Sequence, residues 1–333
     1  MKSLLKTLTE TFAPSGYEDA VRQIIQKEVK PYADEIRVDA MGSLIVHKKP
    51  TVKAKNSRRI MLAAHMDEIG VIVSHVDKNG FVRFTNVGGV FGRYTLGARI
   101  RFLNGATGVV GFDKLESVND IPSMSKMYID VGATNRKNCP VQIGDFGAFE
   151  RSYMEMGNRL VAKSLDDRAG VVVLIEALKA IKSTPNDLYF VFTTQEEVGT
   201  RGAGTAAYGI DPEIGIAIDV TGTGDTPASL KMSMELGKGP CVKVRDPGML
   251  SDPRVVEWMV NTAEKAKIPY QREVLLVGST DARAIQITRA GVMAGALSIP
   301  CRYIHSASEM VDYEDLKNSA KLLTAMLSKP VSF

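Results

Sequence analysis

The chain has 333 residues, 44% hydrophobic and 24% charged, a balance that suits a folded globular enzyme and excludes a disordered tail. Forty-two basic against thirty-eight acidic residues leave a net charge of +4, without a long basic run, so nucleic acid is not an expected partner. Lys2, Lys6 and Glu10 break up the opening segment and no run of about eighteen apolar residues occurs, which predicts a cytoplasmic protein with no signal core and no membrane partner. The three cysteines, Cys139, Cys241 and Cys301, are too scattered for a disulfide framework or a thiolate zinc site.

In chain order, helices are predicted over 3–12 and 17–30, where Leu4, Leu5 and Leu8, then Val21, Ile24, Ile25 and Val29, share a face. Pro31 is expected to end the second. Strands follow at 35–39 and 43–47. The continuous apolar run RRIMLAA then reads as a central strand covered on both faces. From Ile69 to about Arg159 short β-rich runs recur, among them GVIVSHVD, GFVRFTNV, ARIRFL, TGVVGF and DFGAFE. Turns such as Asp77-Lys78-Asn79-Gly80 separate them, and this close, even spacing predicts a small barrel or sandwich.

Beyond Leu160 helices and strands alternate. Helices are predicted at 169–181, 201–208, 253–266, 281–289 and 313–327, with strands at 188–194, 214–219 and 291–299. Asp252-Pro253 carries the cap-then-proline signature of a helix start. The pattern predicts an α/β domain formed by residues 1–68 and 160–333, interrupted by a β domain at 69–159. Three serial domains are the alternative, but they would keep the candidate site residues apart.

Those candidates close strand-like runs or open a helix. They are His65 after RRIMLAA, Asp166 in KSLDDRAG, Glu197 after LYFVFTTQE, Asp219 after EIGIAI, and His305 after SIPCRYI. In an open α/β sheet, ligands bind beyond the carboxyl ends of the strands. Two imidazoles and several carboxylates delivered there make up a two-metal hydrolase centre. Asp67 falls on the same side of a strand as His65, where a carboxylate orients an imidazole ring. Read alone, that pair is equally a satisfied histidine beside a surface aspartate. Asp166-Asp167 alone suits a helix cap, although a carboxylate can also bridge two cations. The adjacent Glu196 and Glu197 would repel each other if buried, unless a metal takes one and leaves the other to accept a proton from water. His47 and His75 have no acidic cluster at matched spacing and read as ordinary strand histidines.

Together these segments resemble the dinuclear aminopeptidases that include glutamyl aminopeptidase, deblocking aminopeptidase and the tetrahedral (TET) particles, some of which carry the label cellulase M or endoglucanase. The matching text is AAHMDEIG (63–70), KSLDDRAG (163–170), TTQEEVGTRGA (193–203), AIDVT (217–221), GSTDARAI (278–285) and SIPCRYIHSASEMV (298–311). LTETFAPSGYE near the start and VDYEDL near the end fit as well, so the resemblance runs collinearly over essentially the whole chain. It implies a zinc-exopeptidase-like α/β/α catalytic domain with an inserted small β-barrel domain. It also implies two divalent metal ions per chain, zinc, cobalt or manganese. His65, Asp166 and Asp219 would hold one, and Asp166, Glu197 and His305 the other, with Asp166 bridging. Glu196 would be the general base and Asp67 the partner of His65. The implied reaction removes the N-terminal residue of a peptide substrate through a two-metal-activated water. Self-association into dimers, with the inserted domain involved, and into a dodecamer is implied in the same way.

Arg283 stands where a small residue is usual in that family. With Arg245 and Arg302 it is a candidate basic group beside the substrate's first side chain, and none of the three is singled out by the sequence. Three rival readings differ in what they need. A glycosidase would use Glu196 and Glu197 but leave His65, Asp219 and His305 without a role. An amide deacylase would prefer N-acyl amino acids over amino-acyl anilides. A non-catalytic scaffold would need no metal.

Overall fold

The computed structural model describes residues 1–117 and 119–333. Helices α1 (Lys2–Glu10) and α2 (Asp19–Val29) bury Leu5, Leu8, Val21, Ile25 and Val29, the apolar face visible in the sequence. Pro31 sits inside a 3-10 turn at Lys30–Tyr32 that follows α2 directly. Strands β1 (Glu35–Val38) and β2 (Leu44–Lys48) form an antiparallel pair, and β3 (Arg59–His65) is buried from Ile60 onward.

The chain then leaves for a closed six-stranded barrel. Its strands are β4 (Gly70–Val76), β5 (Val82–Val87), β6 (Arg99–Phe102), β7 (Thr107–Phe112), β8 (Met127–Asp130) and β9 (Phe146–Phe149), closed in the order β4-β5-β8-β7-β6-β9. The short helix α3 (Gly92–Thr95) projects between β5 and β6. Alternation sends Val71, Val73, Val82, Phe84, Ile100, Phe102 and Ile129 inward to a core separate from that of the large sheet.

Strands β10 (Met154–Met156) and β11 (Arg159–Ala162) return the chain to the large sheet. There follow α4 (Leu165–Ala180), β12 (Asp187–Thr193), α5 (Arg201–Ile210) and β13 (Ile214–Thr221). The remainder is β14 (Cys241–Asp246), β15 (Met249–Leu250), α6 (Pro253–Ala266), β16 (Gln271–Val274), α7 (Ala282–Gln286), β17 (Met293–Arg302), β18 (Glu309–Asp312) and α8 (Tyr313–Leu327). Among the described residues the main path of this sheet runs β1-β2-β12-β3-β13-β17-β18-β11-β10.

Its centre, β12-β3-β13-β17, is parallel, which is why these strands read as unbroken apolar runs. One face carries Ile60, Leu62, Phe190, Phe192, Ile216 and Ile218 against α4, α6 and α8. The other carries Met61, Ala63 and Val191 against α5 and α7. Burying each such branched or aromatic side chain stabilises the fold by roughly 1.5–3 kcal/mol. The fold is therefore a layered α/β sandwich with a small barrel inserted after β3.

The helix expected at 281–289 is shorter than its pattern suggests, ending at Gln286, and Arg289 takes a left-handed φ of 52°. Strands β14, β16 and β18 had not been expected. Lys243 and Glu273 interrupt the apolar pattern of the first two, yet both are fully buried and pair with each other at 2.5 Å.

Candidate metal centre

Parallel register aligns the strand ends. Thr193 of β12 lies opposite His65 of β3, and Asp219 of β13 lies opposite Ser298 of β17. The loop after β12 carries Glu196 and Glu197, the loop after β17 carries His305, and the start of α4 carries Asp166 across a cis Asp166–Asp167 peptide bond. All five predicted metal-binding residues, together with Glu196 and Asp67, converge at this one edge.

Asp166 sits between the two imidazoles. Its Oδ1 is 2.9 Å from His65 Nε2 and its Oδ2 is 3.3 Å from His305 Nε2. Glu197 Oε2 is also 3.3 Å from His305 Nε2. On the other side, Asp219 Oδ1 is 3.9 Å and Glu196 Oε2 4.0 Å from His65 Nε2. Donor atoms of His65, Asp166 and Glu197 fit within one small sphere, as do those of His65, Asp167 and Asp219, each set lying within 4.8 Å.

The remaining ring nitrogen of His65 is occupied. Nδ1 lies 3.1 Å from the Asp67 carbonyl and 3.4 Å from Asp67 Oδ1, which turns Nε2 toward the cluster. Asp67 is itself held from three sides. Ser15 Oγ donates to Oδ2 at 2.6 Å, the backbone N–H of Glu196 donates to Oδ1 at 3.0 Å, and that of Glu197 donates to Oδ2 at 3.2 Å. Glu18 Oε1 accepts the N–H of Gln195, a residue in the left-handed conformation, at 3.1 Å. The segment before α2 therefore fixes both Asp67 and the loop that bears the two glutamates.

Ser15 and Glu18 belong to a stretch quoted above for its resemblance but given no role there. Asp167, beside Asp166 in a pair that suits either a helix cap or a cation bridge, accepts the N–H groups of His65 and Gly170 and shares a donor set with His65 and Asp219. Asp281, read as a helix start, is buried and accepts the hydroxyl of Thr193. Glu309 Oε1 and Oε2 accept the N–H groups of His305 and Asp166 at 2.8 and 2.9 Å. These contacts link segments far apart in the chain and leave no local sequence signal.

Electrostatics show what this cluster lacks. Burial opposes a charge on His65, yet hydrogen bonds to Asp166 and Asp67 outweigh it and hold the imidazole well above its usual pKa. His305 is likewise opposed by burial, but Glu197 and Asp166 push it up to about 12. Burial raises Glu196 well above the carboxylate range, and Asp219, Asp281 and Glu197 add to the effect. Asp219 is raised by burial and by Asp166. Glu197 Oε1 is buried without a hydrogen-bond partner. A nest of carboxylates that keeps two histidines protonated and leaves an acceptor unmatched is short of positive charge. Imidazole and carboxylate donors are the set that zinc, cobalt and manganese accept, and divalent ions would displace those protons on binding.

The cluster forms the floor of a cavity of about 560 Å³ whose walls come from both parts of the molecule. The large sheet and its loops supply Thr200, Val220, Thr221, Met232, Leu275, Val277, Ser279 and Arg283, and the barrel supplies Gly89, Phe91, Arg93 and Tyr94. The barrel loop presses on the cluster itself. A Cβ added at Gly88 would lie 3.0 Å from Glu197, and one at Gly89 would lie 2.3 Å from His305 Nδ1, so Gly89 makes room for the imidazole. Phe91 stacks near His305 with ring centroids 6.0 Å apart.

A layered α/β sandwich with an inserted barrel, and a buried acid–histidine cluster at the sheet's carboxyl edge, define a hydrolase of the exopeptidase kind. The family model of the M42 glutamyl aminopeptidases matches residues 42–322, and the chain belongs to that family; it is a peptidase. A putative aminopeptidase of Acetivibrio thermocellus is 44% identical over 97% of this chain and 97% of its own length. The solved structure of aminopeptidase APDkam598 from the archaeon Desulfurococcus kamchatkensis superposes with a TM-score of 0.94, at 40% identity, covering 99% of this chain and 94% of that one. The TET1 peptidase of Pyrococcus horikoshii, described as assembling into a tetrahedron or a large octahedral shell, superposes at 0.86. It is 32% identical, with 98% of each chain covered.

Proposed function

We propose that this protein is a metal-dependent aminopeptidase that removes the N-terminal residue of peptides with two divalent cations and Glu196 as general base. The observation that carries the reading is the placement of Asp166, whose two oxygens face two different imidazoles. His65, Asp166 and Asp219 would hold one ion, and Asp166, Glu197 and His305 the second. When bound, the ions supply Lewis acidity that polarises the scissile carbonyl and acidifies water.

The residues of the chain do the rest. Glu196 approaches a ring nitrogen no closer than 4.0 Å, and burial has already raised its affinity for a proton. Its carboxylate takes a proton from the attacking water and returns it to the departing amine. Asp67 keeps the His65 ring turned and braces the Glu196-Glu197 backbone. The substrate's free α-amino group is attracted to the cluster's carboxylates, which confines cleavage to the chain end. A glycosidase would leave both histidines and Asp219 without a role.

In this reading residues 1–68 and 160–333 form the catalytic domain, and 69–159 form an inserted domain that shapes access and takes part in dimer contacts. Assembly of dimers into a larger shell, a dodecamer, is supported by the described behaviour of the TET1 relative. It is also supported by the exposed apolar residues Leu250, Val274, Leu276 and Ile287 around β15, β16 and α7. No helix among the described residues is long and apolar enough to cross a membrane.

The test is metal content by mass spectrometry, combined with hydrolysis of amino-acyl p-nitroanilides before and after chelation. Two ions per chain and activity that is lost to chelator and restored by zinc, cobalt or manganese support the reading. Full activity in metal-free protein, or no release from any amino-acyl substrate, overturns it.

A further inference from the structure

The fold sorts the three arginines that the sequence left level. Arg302 is engaged, with Nε and Nη2 donating to Asp225 Oδ1 and Oδ2 at 2.9 and 2.7 Å. Arg245 lies on β14 outside the cavity lining. Arg283 lines the cavity, is exposed, and enters no ion pair among the described residues.

Its stem is seated. A Cβ on Gly248 would lie 3.1 Å from Arg283 Cδ and 2.4 Å from Ser279 Oγ, so the backbone at Gly248 closes against both side chains. That turn is rigid, because Asp246 Oδ1 accepts the N–H groups of Gly248 and Met249 at 2.8 Å and the Ser279 hydroxyl at 3.1 Å. The Arg283 stem thus packs beside this turn at the cavity wall, while the residue as a whole stays exposed.

The rest of the lining sets the contrast. Its carboxylates are Asp166, Glu196, Glu197 and Asp219, all within the cluster, and beyond them its charged residues are Arg93 and Arg283. Arg93 lies over the rings of Phe91 and Tyr94, at 5.5 and 5.2 Å, on the barrel side. The cavity wall also carries the apolar residues Val220, Met232, Leu275 and Val277. A lysine or arginine side chain entering along that wall finds no free acid to pair with and meets a like charge.

We propose that Arg283 sets the charge selectivity of the enzyme: peptides beginning with an apolar or acidic residue are accepted, and those beginning with lysine or arginine are rejected. This rests on the aminopeptidase reading above. Rejection comes from like-charge repulsion together with an unpaired ammonium against apolar surface, and acceptance of glutamate from a charge-assisted hydrogen bond to the guanidinium.

The experiment compares kcat/KM of the metal-loaded enzyme on leucyl, glutamyl and lysyl p-nitroanilides for the wild type, Arg283→Leu and Arg283→Glu. The expected glutamyl-over-lysyl preference of the wild type is about 10- to 100-fold, since like-charge contacts at a partly solvated site cost that much. Arg283→Leu flattens the ratio and Arg283→Glu inverts it. A second reading needs no turnover: calorimetric binding of Glu-Ala-Ala and Lys-Ala-Ala amides to Glu196→Gln protein gives the same ranking. A wild type that prefers the lysyl substrate, or a ratio unchanged within about twofold in both variants, overturns the role of Arg283 while leaving the aminopeptidase intact. Absence of turnover on every amino-acyl substrate overturns both.

Discussion

The large sheet and the barrel meet at one cavity but contribute different things. Every carboxylate and imidazole of the cluster comes from the α/β part, fixed at strand ends and at the start of α4. The barrel lends a loop without side chains at Gly88 and Gly89, and then the rings of Phe91 and Tyr94. In the proposed reading one part holds the reacting groups and the other shapes the space above them. A site built this way can change its substrates by altering loops and the barrel rim without disturbing the donors.

That division can be broken most severely from the α/β side. Glu196→Gln should lower kcat by about two to four orders of magnitude while both ions stay bound, the loss expected of a missing general base. Near-normal turnover would remove Glu196 from that role. Next is the barrel's own core. Phe102→Ala, at a position 1% exposed, should cost about 3–5 kcal/mol. If the barrel is an independent unit, denaturant unfolding followed by Trp258, which lies in the α/β part, should stay at its wild-type midpoint while the barrel melts early. A single shared transition would instead couple the two.

A smaller effect tests the seam between them. Gly89→Ala should drive the ring of His305 aside and weaken metal affinity by about 10- to 100-fold, the loss typical of disturbing a ligand's supports. Metal titration with unchanged affinity would show that the barrel loop can retreat. The smallest change is Ser15→Ala, which removes one of the donors to Asp67. A net loss of about 1 kcal/mol, or roughly fivefold in kcat at unchanged metal content, is expected from one buried hydrogen bond. Restoration by Ser15→Thr would place the effect on the hydroxyl.

Much of this arrangement was legible in the sequence, for a physical reason. A parallel strand covered on both faces must be apolar throughout, so the charged residue that ends such a run stands out, as His65 does after RRIMLAA and Glu197 after LYFVFTTQE. The barrel announced itself through evenly spaced short runs. Lys243 and Glu273 hid β14 and β16 because each satisfies the other's buried charge across neighbouring strands, a pairing that no local pattern reveals. Ser15, Glu18, Gly89 and Glu309 escaped because they act only through approach in three dimensions. Arg283 was visible as an oddity but not as a cavity residue, since its position depends on the turn at Gly248.

The nesting of the barrel within the α/β part also has a consequence in time. His65 precedes the insertion, and His305 follows it, in the loop after β17. A chain emerging from the ribosome therefore displays its first donor early and carries it through the whole barrel before its partners exist. The set closes only when β17 and the loop behind it have been made and laid beside β13. A copy that stops before β17 has no complete site, so the ability to shorten other peptides depends on both flanks of the insertion having been made.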